Sequence, residues 1–294
     1  MTDGLIVVGV GRSGTSTATA FAEVAGLRLP NDVLPADEWN ADGYLESRSL
    51  IGFNDHLLLA SGQTWWKPRR AEGHGVTEYR CARRASRVFR RAFGNGRGWV
   101  WKDPRLPMLL PFWDQVLGIQ PAMVPYRDPV AVAASISRRD KVGIDVSLAI
   151  WERHSRQMLL SIAGRPVLFS DYAELTERPE KWFRQLVDFC TESGLDVVNP
   201  EVDFNSRIRR IDRPTVYKRP TVNQIELAEL IASLQGPHSE FQVPMLPDES
   251  PGTQGLIDSV RDPRMISRIR ASFITRPKHV VPQGPTSVKA AIDG

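Results

Sequence analysis

Gly9 to Ser16 read GVGRSGTS, and the fold turns on how this stretch is parsed. It follows the apolar run Leu5-Ile6-Val7-Val8 and leads into Thr15 to Ala25, a helix-patterned segment rich in Ser and Thr. A buried strand that runs through glycines into a helix aims several backbone N–H groups and the positive end of the helix dipole at one spot, which makes an anion site. Gly9, Gly11 and Gly14 spell G-x-G-x-x-G, a dinucleotide fingerprint. The same letters with Thr15-Ser16 make a Walker A loop in which threonine stands where lysine belongs.

Each template makes a demand elsewhere in the chain. A dinucleotide site needs a second strand ending in an acidic residue some 20 positions on. The candidate, Leu27-Arg28-Leu29-Pro30-Asn31-Asp32, is short and broken by proline. A nucleoside triphosphate site needs a lysine on the β- and γ-phosphates and a carboxylate for magnesium. Val167-Leu168-Phe169-Ser170-Asp171 could supply the carboxylate, but any buried strand ending in Asp would match, and the lysine is missing. What remains is a phosphate loop whose cation stands earlier, at Arg12.

Outward from the loop, short apolar runs alternate with helical patterns. Strands are expected at Leu5–Val10, Trp99–Lys102, Ala122–Tyr126 and Pro166–Phe169. Helices are expected near 15–25, 47–60, 78–93, 106–117, 129–139, 145–163, 179–193 and 223–234. Alternation of this kind predicts a three-layer α/β fold, a parallel sheet with helices on both faces, whose ligands bind beyond the carboxyl ends of the strands. Pro237, Pro244, Pro247 and Pro251 interrupt the later sequence. Residues 1–235 therefore read as one domain and 236–294 as an irregular extension.

Composition narrows the setting. At 294 residues with 41% hydrophobic and 24% charged residues, the chain can bury a full core. No apolar run approaches a bilayer span, and the first residues lack the features of a secretory leader, so a soluble cytoplasmic protein without stable membrane insertion is expected. Cys81 and Cys190 sit in helical patterns with no Cys/His cluster near them, and read as reduced thiols rather than metal ligands. The net charge of +4 favours anionic ligands. Arg80, Arg84, Arg87 and Arg91 form a helical stripe that reads either as a solvated face or as a surface for an acidic partner. No nucleic-acid-binding signature accompanies it, so nucleic acid is not an expected partner. A homo-oligomer stays open.

A second stretch, YRDPVAVAASISRR from Tyr126 to Arg139, reads as another strand-to-helix turn. Asp128 can cap a helix that begins at Pro129, the favoured first-turn residue. Arg127 then ends the strand, where it can serve as a bidentate anion fork or as one half of a surface ion pair, and Ser135 lies two turns into the helix.

Taken with Arg12-Ser13-Gly14-Thr15-Ser16-Thr17, this pair of loops resembles the sulfotransferases that use 3′-phosphoadenosine 5′-phosphosulfate (PAPS), a family with a P-loop NTPase-like fold. The resemblance runs from Leu5 to about Phe189 and implies that Arg12 to Thr17 hold the 5′-phosphosulfate. It implies that Arg127 and Ser135 hold the 3′-phosphate, that Lys102 brings a cation to the sulfuryl group, and that Tyr172 stacks near the adenine. The family's cytosolic branch carries a His after the strand-end lysine, whereas Asp103, Pro104 and Arg105 stand here; its Arg-Lys-Gly segment is also absent, with Arg209-Arg210 or Lys218-Arg219 as substitutes. The kinship therefore looks bacterial.

The implied reaction is in-line transfer of the sulfuryl group to a hydroxyl. Its charge is stabilised by Arg12, Lys102, the Thr15 and Ser16 hydroxyls and a helix N-terminus, with no metal required. A hydroxyl acceptor must lose a proton. The loop from Asn40 to Glu46 resembles the G-Y-x-E segment of bacterial sulfotransferases and nominates Glu46 as base, with His56 second and His154 structural. Trp39, Tyr44, Trp65 and Trp66 are candidates for an acceptor wall, and the acceptor stays open among small molecules, carbohydrates and lipids. An altered P-loop kinase and a non-catalytic nucleotide-binding protein of the same fold remain the alternatives.

Overall fold

The computed structural model describes residues 3–35, 43–69, 81–204 and 219–260. The described residues are organised on one sheet of five strands, ordered β2-β1-β3-β4-β5. The strands are β1 (Gly4–Val7), β2 (Trp99–Lys102), β3 (Ala122–Tyr126), β4 (Val167–Asp171) and β5 (Gly236–His238). The first four run parallel, and β5 pairs antiparallel with β4, Leu168 opposite Pro237.

The helices are α1 (Thr15–Val24), α2 (Arg48–Ala60), α3 (Ala82–Phe93), α4 (Leu106–Leu117) and α5 (Pro129–Asp140). They continue with α6 (Ile144–Ser161), α7 (Tyr172–Glu177), α8 (Pro179–Glu192), α9 (Val222–Ser233) and α10 (Thr253–Asp258).

Because successive side chains of a strand point to opposite faces, each parallel strand feeds two cores. Ile6, Trp101, Val124 and Phe169 face one layer, with Phe53, Phe89 and Trp113 of α2, α3 and α4. Leu5, Val100, Met123 and Leu168 face the other, with Phe21 of α1 and Trp182 and Phe183 of α8. This division produces the expected three layers, and it also leaves the carboxyl ends of four parallel strands along one edge.

Several differences from the sequence reading have simple causes. Strand β1 stops at Val7 because the chain bends into the glycine loop, although Val8 N still donates to Met123 O at 3.0 Å. Within the segment read as an irregular extension, residues 236–260 add β5 and α10, elements too short to carry a periodic signal. Helix α6 holds part of that segment. Its buried Glu152 accepts from Ser250 N at 2.7 Å and Thr253 Oγ1 at 3.0 Å. Arg80, Trp39, the loop Asn40 to Asp42, Arg209, Arg210 and Lys218 lie outside the described residues.

The arginine stripe is a water-facing surface. Arg84, Arg87 and Arg91 are exposed while Ala85, Phe89 and Ala92 are buried. Cys190 is buried, and burial pushes its thiol up to about 12, so it is an inert core residue. Among the described residues, no helix is long and apolar enough to cross a membrane.

Candidate active site

The loop Gly9–Gly14 leaves β1 between the ends of β2 and β3, and its shape depends on one glycine above all. Gly14 has φ 100° and caps α1, a conformation that L side chains rarely adopt. A Cβ there would also lie 2.4 Å from Cδ2 of Tyr172, because the tyrosine ring rests on the loop. At Gly11 a Cβ would meet nothing within 4 Å, and its φ is not left-handed. The two glycines are therefore unequal. Gly14→Ala is expected to lower the unfolding temperature, while Gly11→Ala leaves it near wild type. Thermal unfolding of the two variants decides it, and equal tolerance of the substitutions would contradict the difference.

Arg12 itself has φ 76°, a strained value for a side-chain-bearing residue and one found at functional sites. That backbone turns its guanidinium across the sheet edge, where Nε donates to Ser135 Oγ at 3.0 Å, 123 residues away in sequence. Burial, then the charge of Arg139, pulls the Arg12 pKa below its ordinary value, and Arg127 contributes in the same direction. Ser13 has a different task. Its hydroxyl donates to Pro125 O at 2.8 Å and ties the loop to the end of β3. Thr15 is buried at the head of α1, with Ser16 and Thr17 half-buried beside it.

The second loop forms as its sequence directs. Asp128 accepts from Ala131 N at 2.8 Å and caps α5, with Pro129 in the first turn. Arg127 then lies over the ring of Tyr172, 4.7 Å from its centroid. The two loops and Tyr172 thus interlock: Arg12 reaches Ser135, Arg127 covers Tyr172, and Tyr172 covers Gly14. Beside them is a cavity of about 960 Å³, lined by Ser13, Arg127, Tyr172, Trp151 of α6 and Ile231 of α9 among others. That volume is at the upper end for small-molecule sites.

The end of β2 brings the other group. Lys102 Nζ donates to Glu46 Oε1 at 2.5 Å, and both side chains are less than a tenth exposed. Leu45, with φ 56°, turns the chain immediately before Glu46, and Leu34 N donates to Glu46 O at 2.8 Å, so the backbone is fixed on both sides. Behind the pair, Arg105 grips Asp55 through Nε at 2.5 Å and Nη2 at 3.1 Å, and Asp103 through Nη1 at 3.1 Å. Burial opposes the guanidinium charge, but Asp103 and Asp55 outweigh it and hold Arg105 above its ordinary pKa. Asn54 donates to Asp103 at 2.9 Å and accepts from Trp113 Nε1 at 2.9 Å, which completes the network.

Arg139 closes the group on the α5 side. It pairs with Asp140 through two bonds of 2.8 Å and lies 5.4 Å from the centroid of Trp65. Burial lowers its pKa, but Asp140 outweighs burial and raises it overall, with smaller contributions from Tyr44 and Glu46. Arg12 feels the charges of both Arg127 and Arg139, and Arg139 in turn feels that of Glu46.

Of the residues expected in the site, Glu46 and Lys102 come into direct contact, as do Arg12 and Ser135. His56 does not join them; it is exposed on α2, next to the buried Asn54 and Asp55. His154 is a core residue. Its Nε2 faces the carbonyl of Trp65, which requires the proton on that nitrogen, and burial lowers its pKa to about 4. Arg219 is exposed ahead of α9, and Arg210 lies outside the described residues.

The residues named by the two rival templates are otherwise engaged. Asp32 Oδ2 accepts from Ser49 N at 2.8 Å at the start of α2, and Arg28 makes a single bridge to Trp99 rather than a strand. Asp171 Oδ1 accepts from Ala173 N at 2.9 Å and caps α7. Arg105, Asp55 and Arg139 surround the Lys102–Glu46 pair and Arg12, and sequence reasoning did not single them out. A signal existed for α2, where Asn54 falls between Leu50 and Leu57 on an apolar face.

No protein-family model and no curated protein matches the chain. Among solved structures it is similar to the sulfotransferase domain from the Synechococcus PCC 7002 olefin synthase, at 16% identity over 79% of this chain and 95% of that one, TM-score 0.47. It is also similar to the sulfotransferase domain from the curacin biosynthetic pathway, at 14% identity over 88% of this chain and 97% of that one, TM-score 0.43. The chemistry has to be read from the residues.

Proposed function

We propose that the chain transfers the sulfuryl group of PAPS to a hydroxyl of a small-molecule, carbohydrate or lipid acceptor. The observation that carries this reading is the contact of Arg12 with Ser135, which joins two anion loops into one clamp at the carboxyl edge of the sheet. A ligand with phosphates at both ends of a nucleoside fits such a clamp. The site offers the fit: a helix N-terminus at Thr15, the guanidiniums of Arg12 and Arg127, and a cavity of about 960 Å³ with Tyr172 in its wall.

PAPS supplies an activated sulfuryl group; the chain's own residues do the rest. Arg127 and Ser135 hold the 3′-phosphate, and Arg12 with the first turn of α1 holds the end that carries the sulfate. Lys102 directs its ammonium at the charge that grows as the bond from sulfur to the phosphate oxygen breaks. Glu46 takes the acceptor proton as the new oxygen–sulfur bond forms. Lys102 and Glu46 meet in one ion pair, so the group assigned to the donor and the group assigned to the acceptor are brought to the same end of the site.

A thermal-unfolding panel tests the reading. Product nucleotide, 3′-phosphoadenosine 5′-phosphate, at about a hundred times its Kd should stabilise by about 2.7 kcal/mol, a shift of several degrees, in the presence of a chelator. ATP with magnesium and NAD should give no comparable shift. A shift with ATP and magnesium alone would favour a kinase, and a shift with the product nucleotide but no transfer to any acceptor would favour a non-catalytic binder.

A further inference from the structure

Arg127 and Tyr172 each follow the last residue of a strand. Tyr126 and Asp171 are that last pair, opposite each other at the end of the β3–β4 ladder. Beyond them the chains diverge into α5 and α7, and no ladder hydrogen bond sets the distance between the arginine and the ring it covers.

One side chain from elsewhere bridges this gap. Gln235, just after α9, accepts from Tyr126 Oη at 2.9 Å and from Asp171 N at 3.0 Å, both at Oε1. Its Nε2 donates to Glu174 Oε2 at 2.9 Å. The backbone N–H of Asp171 can only donate and a carboxylate only accepts, so the amide has one possible orientation and both lone pairs of its oxygen are used. The phenol stays a donor: burial, then Asp171 and Glu174, push Tyr126 up to about 12. Glu174 is held in turn by Lys181 at 2.7 Å.

We infer that Gln235 is a positioning residue for the nucleotide site, fixing the spacing of Arg127 and Tyr172 through the residue that precedes each. It does not line the cavity itself, whereas Tyr126, Arg127, Asp171 and Tyr172 all do. It is also exposed, so its removal leaves no hole in the core. The inference rests on the PAPS reading, in which Arg127 and Tyr172 meet the 3′-phosphate end of the ligand.

The test compares wild type, Gln235→Ala, Tyr126→Phe and the double variant by calorimetric binding of 3′-phosphoadenosine 5′-phosphate and by unfolding without ligand. Gln235→Ala should bind about tenfold more weakly, and Tyr126→Phe about threefold, with unfolding temperatures near wild type. The double variant should bind no more weakly than Gln235→Ala, because one oxygen mediates both effects. Wild-type affinity in Gln235→Ala, additive losses, or a loss that only follows reduced stability would each overturn the inference while leaving the PAPS reading intact. Failure of the wild type to bind the nucleotide would overturn both.

Discussion

Glu46→Gln is expected to lower sulfuryl transfer by roughly a thousandfold while leaving the affinity for 3′-phosphoadenosine 5′-phosphate within about threefold of wild type. The glutamine keeps a carbonyl oxygen in reach of Lys102, which Glu46 now engages at 2.5 Å, so the ammonium retains an acceptor in its buried setting. What is lost is the capacity to take a proton. Turnover with a hydroxyl acceptor, measured beside nucleotide binding on the same preparation, separates the two. Transfer within tenfold of wild type would remove Glu46 from the role of base, and the exposed His56 offers no replacement at this site.

The largest effect on stability is expected at Arg105. Arg105→Met removes the cation from between Asp55 and Asp103 and leaves two carboxylates buried against each other. Breaking a buried network by deleting one partner typically costs about 3–5 kcal/mol. For a domain of this size that is a fall of about 10 °C in Tm, which a thermal scan resolves. A change below about 1 kcal/mol would show that water or rearrangement satisfies the carboxylates. The network lies directly behind Lys102, so a surviving variant should also transfer more slowly at unchanged nucleotide affinity.

The fold was legible because its signals are local. Strands β2 and β3 end where the sequence predicts, at Lys102 and Tyr126, since each is an apolar run with charge or turn chemistry at its end. Asp128 and Pro129 announce α5 for a reason that needs no tertiary partner. The turns that lead from β1 into α1 and from β3 into α5 were legible for the same reason. The pairing of Lys102 with Glu46 was not, because it joins residues 56 apart that each read as ordinary strand-end and loop charges. Arg105 and Asp55 were hidden more deeply: a buried ion network has no sequence period, and only burial distinguishes it from surface charge. Strand β5 escaped because Gly-Pro-His resembles a turn until β4 is there to receive it.

The two margins of the sheet, β2 and β5, are built differently. On one side the single bridge of Arg28 to Trp99 is followed by Leu29 and Pro30; on the other, β5 is only Gly236, Pro237 and His238. A sheet margin with free N–H and C=O groups is a template on which a second chain can grow. Here the β5 margin is three residues long and interrupted at Pro237, which has no N–H to offer. That margin therefore has little capacity to recruit a further strand, and the same short segment that closes the fold opposes edge-to-edge pairing there.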